Sequence, residues 1–482
     1  MTGRQNGATD QPRMPVLPLV AVCLGFFMVM LDTTIVNIAL PAIGRSLNGG
    51  VDLLQWVVDS YTLVFAALLL SAGALGDRIG PRRVFLAGLG AFALFSAVCA
   101  VAPTGGWLVA ARALQGVGAA ALVPGSLALI NASYPDRASR AKAIGIWGGM
   151  GGIAAACGPV LGGALIDGFG WQAVFLVNVP VAAIAYLLVV RYVINPRPEH
   201  RRSLDLPGQG LAITALASLT YALIDGGGSS GWQTRDTVLI VGGLLLIMGF
   251  LVLEARRRDP MLPVGLFRDP GFSTANVTGL LLNFGFYGQY FVLTLYLQQL
   301  RHYPPLTAGL LIAPEALGAV VGSPLGGRTT ARFGPRMVMI TGLVLGAIAF
   351  LAMLPVGAHT NYALLGPVIF VAGFGISFAM PAATAAALQA APPERAGVAA
   401  GVVNAARQTG SVLGVAVLGT LTTTSGSFLT GFHAALTGSA VIFAVGAVLN
   451  IIQLRSRHQK ADQPSPASEQ SRTTENAATH RS

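Results

Sequence analysis

Charge is what this sequence has least of. Among 482 residues only 19 are Asp or Glu and 30 are Lys or Arg, a charged share of 10% where soluble domains carry about 25%. That scarcity excludes an ordinary water-soluble globular protein. Cysteine is nearly absent too: Cys23, Cys99 and Cys157 all fall in apolar runs without metal-ligand spacing, so they read as small packing residues rather than a disulfide framework or a zinc site. The six histidines show no ligand spacing either. No Walker-type phosphate loop is present, and the glycines of 148–152 lie inside a hydrophobic run, which excludes a chain that energises itself with ATP. No enzyme chemistry, metal or cofactor is expected.

What is abundant is hydrocarbon. Hydrophobic residues make up 54% of the chain and the mean hydropathy is +0.67. A bilayer-spanning helix needs about 20 mostly apolar residues. Such runs occupy 16–40, 54–75, 84–102, 107–131, 142–165, 172–192, 207–224, 237–255, 272–297, 306–327, 337–356, 362–388, 397–421 and 430–453. Continuous helices are expected there, because hydrocarbon cannot satisfy a bare backbone. The alternating ten-residue segments of a β-barrel are absent. Residues 1–13 and 456–482 are polar, and the C-terminal stretch has a disordered composition. The first apolar run has no small-residue cleavage site before Asp32 and reads as a retained helix.

The basic residues behind the net charge of +11 lie largely outside the apolar runs, many in short loops: Arg78, Arg82 and Arg83; Arg197, Arg201 and Arg202; Arg256, Arg257 and Arg258. Nucleic-acid binders gather basic residues on one domain surface, so nucleic acid is not an expected partner. Excess arginine in short loops marks the cytoplasmic face. With an even number of spans, both termini are expected in the cytoplasm and the protein in the cell membrane.

A repeat divides the chain. Gly73-Ala-Leu-Gly-Asp-Arg-Ile-Gly-Pro-Arg-Arg-Val and Gly327-Arg-Thr-Thr-Ala-Arg-Phe-Gly-Pro-Arg-Met-Val follow the second and tenth runs at an offset of 254 residues. Gly73, Arg78, Gly80, Pro81, Arg82, Val84, Gly88 and Leu89 each meet an identical residue at that offset. The expected fold is an all-α membrane protein: six-helix bundles at 14–195 and 270–455, joined by 196–269, which holds two extra transmembrane helices. Bundles related in this way hold substrate near the membrane midplane.

Ionisable residues inside spans are expensive and read as functional. Asp32, Arg112, Glu315 and Arg407 stand within apolar runs, whereas Asp59 and Asp225 lie nearer span ends and are expected to be solvated. Asp32, Arg112 and Glu315 are the proton-coupling candidates, with a buried structural role as the alternative. The ninth run is unusually aromatic from Phe284 to Tyr296. Gln115, Asn283, Tyr287, Tyr290 and Arg407 are the candidates for lining a substrate cavity, with packing as the alternative for the aromatics.

Five strings in order resemble the major facilitator superfamily, and within it the fourteen-span drug:proton antiporter branch. They are Leu31-Asp-Thr-Thr-Ile-Val-Asn-Ile-Ala-Leu-Pro41, Gly73 to Arg83, Leu108-Val-Ala-Ala-Arg-Ala-Leu-Gln-Gly-Val-Gly118, Gly158-Pro-Val-Leu-Gly-Gly163, and Trp171 to Pro180. The resemblance covers nearly the whole chain except its polar ends. It implies proton-coupled export of antibiotics or other drugs by alternating access, with small molecules, protons and the lipid bilayer as partners and a monomer as the working unit. It also implies a conformational latch at Gly73, Asp77, Arg78, Gly80, Arg82 and Arg83. Ala331 stands where a second carboxylate would be, so that latch is expected to be one-sided. Gly158, Pro159, Gly162 and Gly163 match the helix motif associated with antiport. Export of a native metabolite, uptake by symport and a non-transporting sensor are the alternative readings.

Overall fold

A computed structural model describes residues 16–134, 136–194, 205–227, 231–257, 260–392 and 395–461. Among these residues there is no β-strand. The first half consists of α1 (Val16–Leu47), α2 (Val51–Ile79), α3 (Pro81–Ala100), α4 (Gly105–Ser133), α5 (Arg137–Phe169), the single turn α6 (Ala173–Leu176) and α7 (Asn178–Tyr192). A linking pair follows, α8 (Leu206–Gly226) and α9 (Thr234–Arg256). The second half holds α10 (Pro270–Leu295), α11 (Pro305–Phe333), α12 (Pro335–Ala352), α13 (Tyr362–Ala390), α14 (Ala396–Thr424) and α15 (Phe428–Ala461). Among the described residues thirteen helices are long and apolar enough to cross a membrane. The expected span at 397–421 is helical but falls outside that set, because α14 carries Asn404, Arg407, Gln408, Thr409 and Ser411 in neighbouring turns.

Local chemistry fixes the helix ends. Asp136, Asp269 and Asn361 accept backbone N–H groups at the starts of α5, α10 and α13, satisfying donors that a first turn leaves open. Gly80 joins α2 to α3 at φ 99°, and Gly334 joins α11 to α12 at φ 82°. Both are conformations glycine adopts without penalty, and each is followed by a proline at the first helical position. The repeated string is thus a repeated turn. Where the sequence ends the first run at 40, α1 continues through Pro41 to Leu47, because Leu40, Pro41 and Ile43 are all buried. The ninth span ends in a wide π-turn over Tyr296–Leu300.

Packing repeats as well. In the first half α2 and α3 pack on α4, and α1 packs on α5; in the second half α11 and α12 pack on α13, and α10 packs on α14. The halves meet through α5 against α11 and α2 against α14, equivalent pairs under the same repeat. We call the end where α1 begins the arginine-rich end and the other the far end. One apolar core takes residues from both halves, including Ile35, Leu40 and Leu54 with Phe291, Ile312 and Phe350. Toward the arginine-rich end the cores are separate. Leu19, Phe85, Ile130 and Val189 form one, and Phe272, Val338, Ala383 and Val402 form the other.

Hydrogen bonds across the halves follow that division. Gln55 Nε2 donates to the carbonyls of Ala416 at 2.8 Å and Val415 at 3.1 Å. Gln298 Nε2 donates to Ile38 O at 2.9 Å, Tyr290 Oη to Thr34 O at 3.3 Å, and Leu306 N to Asp167 Oδ2 at 3.2 Å. All lie in the middle or far part of the molecule. The linking pair covers the α2/α14 seam from outside, where Thr420 and Thr423 of α14 donate to the carbonyls of Leu223 and Gly227. Between the pair and the seam lies a mostly apolar cavity of about 260 Å³, bordered by Ala66, Leu70, Leu216, Phe250, Met261 and Ala406.

Candidate functional site

In the middle of the first half, three helices turn polar side chains toward one carboxylate on a fourth. Asp32 of α1 is completely buried, and its Oδ2 accepts from Arg112 Nη1 of α4 at 2.6 Å. Its Oδ1 accepts from Gln115 Nε2 at 3.1 Å and from Asn178 Nδ2 of α7 at 2.9 Å. Ser96 of α3 receives Gln115 and Asn178 at 3.2 and 3.0 Å and donates to Phe175 O at 2.9 Å. Arg112 also donates to Gln115 Oε1 at 2.7 Å and, through Nε, to Val57 O of α2 at 3.1 Å. The Tyr61 ring lies under its guanidinium, 4.1 Å from the centroid, a cation–π contact strengthened by desolvation. Both carboxylate oxygens of Asp32 and the Nε and Nη1 of Arg112 thus have partners, and such hydrogen bonding is what lets a buried ion pair be tolerated.

Next to this network a small cavity of about 10 Å³, room for about one water, lies between the halves. Thr33, Asn37, Tyr61, Thr62 and Arg112 border it from the first half, and Tyr287, Gln408 and Ser411 from the second. Arg112 therefore touches both the carboxylate and the cavity. Any change in the charge of Asp32 acts at once on a cavity wall.

Comparison with known proteins decides what kind of molecule this is. A model of the Major Facilitator Superfamily matches residues 22–414, and again 275–480. The chain belongs to that superfamily. It is 39% identical over 402 residues to a methylenomycin A resistance protein of Streptomyces coelicolor, covering 83% of this chain and 84% of that one. It is 40% identical over 410 residues to the multidrug resistance protein Stp of Mycobacterium tuberculosis, covering 85% and 76% of the two chains. The tetracenomycin C resistance and export protein of Streptomyces glaucescens is 35% identical over 404 residues, covering 84% and 75%. Among solved structures a peptide transporter, POT, in complex with sulfate superposes with a TM-score of 0.69 at 15% identity, over 92% of this chain and 94% of that one. That likeness shows the fold alone. The protein is a multi-pass membrane transporter of the superfamily's drug-efflux branch.

Its motifs occupy definite places. In the superfamily's loop between the second and third helices, Gly80 makes the turn, while Arg82 donates to the carbonyls of Val190 at 2.7 Å and Val189 at 3.4 Å. These capping bonds at the end of α7 stay within the first half. Gly73 packs against Pro124, and Asp77, Arg78 and Arg83 are exposed. In the fifth-helix motif, Gly158 and Gly162 lie against Thr34 and Ile35 of α1; a Cβ on Gly162 would come 2.8 Å from Ile35 Cγ1. Gly163 faces the other half instead, where a Cβ would come 2.7 Å from Leu306 N and Pro305 O. Pro159 presents its carbonyl to Gly309 of α11. The motif is a contact surface on two sides.

The remaining candidates divide. Glu315 of α11 is buried in the second half beside Gln289, apart from the Asp32 network. Of the five cavity candidates Tyr287 borders the central cavity, and Asn283 donates to the cavity residue Ser411 at 3.3 Å. Tyr290 is turned to the Thr34 carbonyl, and Arg407 packs along Gly279 with its Nε unpartnered. Gln115 belongs to the Asp32 network rather than to the cavity wall, because α4 turns its polar face inward to α1, α3 and α7.

Two expectations are corrected. Asp59 is not solvated: it is completely buried, covered by the helices packed on α2. Cys157 is exposed on α5, unlike Cys23 and Cys99, which are buried. Ser96 and the side-chain role of Asn178 were missed, since uncharged polar residues in an apolar run carry little signal by themselves.

Proposed function

We propose that the protein exports small-molecule antibiotics or related drugs across the cell membrane in exchange for protons, by alternating access. The observation that carries this reading is the buried Asp32–Arg112 pair, whose cation also borders a cavity between the halves. In this reading the arginine-rich end is cytoplasmic, and the arrangement closed at the far end takes drug from the cytoplasm. A proton on Asp32 removes the charge that holds Arg112. The guanidinium, already stacked on Tyr61, then swings further into the cavity, releasing its grip on Val57 of α2. Proton and drug thus compete through one arginine. Glu315 supplies a second titratable group on the opposite half, and Asp77 a one-sided latch in the loop. The relatives named as resistance, multidrug and export proteins support the substrate class.

One proton moving through about 150 mV releases about 3.5 kcal/mol, enough to hold a drug gradient of roughly 300-fold. The test is drug-induced proton release from inverted vesicles at quantified protein abundance. The chain should release protons on addition of drug, and a protonophore should abolish efflux. Asp32→Asn, nearly the same shape, should release none. Efflux that follows ATP and ignores the proton gradient would sink the reading.

A further inference from the structure

Asp59 is a buried acid that the Asp32 network does not use. It stands on α2, two residues beyond the Val57 carbonyl that Arg112 holds. Its side chain is 0% exposed, and neither carboxyl oxygen has a hydrogen-bond partner. Its direction follows from its neighbours on the same stripe of α2, since residues three, four and seven apart share a helix face. Gln55, one turn earlier, donates to the Val415 and Ala416 carbonyls of α14. Ala66, two turns later, faces Ala406 of α14 and Leu216 of α8 across the apolar cavity. Asp59 therefore lies in the seam between the halves, at the level where the far end is closed, under the cover of α8.

The charged groups around α2 are directed elsewhere. On α1 and α4, Asp32 and Arg112 bind each other. On α14, Arg407 lies along Gly279 of α10. On α8, Asp225 pairs with Arg235. The arginines of α3, Arg82 and Arg83, stand at its arginine-rich end, and on α2 itself Asp52 is exposed at the far rim. An ionised carboxylate buried without a cation or N–H donors is strongly disfavoured, and such a group neutralises instead.

We propose that Asp59 is a further proton-binding site of the transporter, which must be protonated before the α2/α14 seam can close at the far end. The proposal rests on the proton-coupled reading above and adds a step to it. When the seam parts, water reaches the carboxyl and it ionises. To close again it takes a proton from the far side, the side from which protons enter an exporting antiporter. Return to the drug-accepting arrangement is thereby tied to external proton uptake, through a residue that touches neither Asp32 nor the central cavity.

Spin labels at Val51→Cys and Thr424→Cys, in a Cys157→Ser background, read the seam directly in lipid nanodiscs. In the otherwise native protein the ratio of closed to open molecules should fall about tenfold per pH unit across about pH 6 to 8, the slope of one linked proton. Asp59→Asn, neutral and nearly isosteric, should stay closed at every pH. Asp59→Glu should restore a slope. An Asn variant that titrates like the parent would overturn the proposal, as would a parent whose distances ignore pH while its efflux stays proton-driven. That last pattern would leave the export reading standing. A titrating seam in a protein whose efflux ignores the proton gradient would do the reverse.

Discussion

Gly163 of α5 rests directly against the Leu306 backbone of α11, with no room for a side chain between the two halves. The expected closure at the far end is therefore a contact between main chains. A methyl group there meets backbone that has no rotamer to change, and overpacking of this kind costs roughly 1–3 kcal/mol. Gly163→Ala should reduce the closed population and slow efflux about tenfold. Gly152→Ala, on the same helix with nothing within 4 Å of its Cβ, should transport normally. Both are read by efflux rate at matched membrane abundance, and equal rates would remove the contact from the transport cycle.

The Asp32–Arg112 pair predicts a strong non-additivity. Arg112→Gln leaves the Asp32 carboxylate buried without its cation, a loss of about 3–5 kcal/mol when one partner of a buried pair is removed. Adding Asp32→Asn removes the stranded charge. The double variant should therefore unfold in detergent at a higher temperature than Arg112→Gln alone, while transporting no better. Additive shifts in unfolding temperature would mean the two side chains are energetically independent.

Gly80 and Gly334 make the same turn at φ 99° and 82°, so both should resist substitution alike. Alanine at either site is forced into sparsely populated backbone space, at about 1–3 kcal/mol. Gly90→Ala, inside α3 with open space around its Cβ, should instead stabilise by roughly 0.5–1 kcal/mol. Thermal unfolding of the three variants checks the ordering.

Arg82 closes the end of α7 by donating to Val189 and Val190. Arg82→Ala should speed amide hydrogen exchange in the last turn of α7 by several-fold, for a bond of about 1 kcal/mol. Arg83→Ala, an exposed neighbour, should leave exchange there unchanged.

The bilayer makes some of this architecture easy to read from the chain. Apolar runs mark the helices because hydrocarbon tolerates little else, and the Gly80 and Gly334 turns repeat because only glycine followed by proline fits both. Asp32 and Arg112 stand out as charges in apolar surroundings. Their partners do not, since Ser96 and Asn178 reach them only through the rotation of α3 and α7 about their axes. That rotation is a product of tertiary packing. Gln115 was placed on a cavity wall for want of it. Asp59 was misplaced for a different reason: its distance from the end of a run says how deep it lies along α2, whereas α14 and α8 decide whether water reaches it.

The division of the apolar cores makes the two ends of the molecule thermodynamically unequal. Opening the far end splits a core that both halves share, whereas the cores at the arginine-rich end already belong to one half each. Hydrating apolar surface raises heat capacity, so the far-open arrangement carries the larger heat capacity of the two. Apolar association weakens on cooling. Chilling the membrane should then shift molecules toward the far-open arrangement, and the slow step of the cycle should change with temperature from opening that end to closing it.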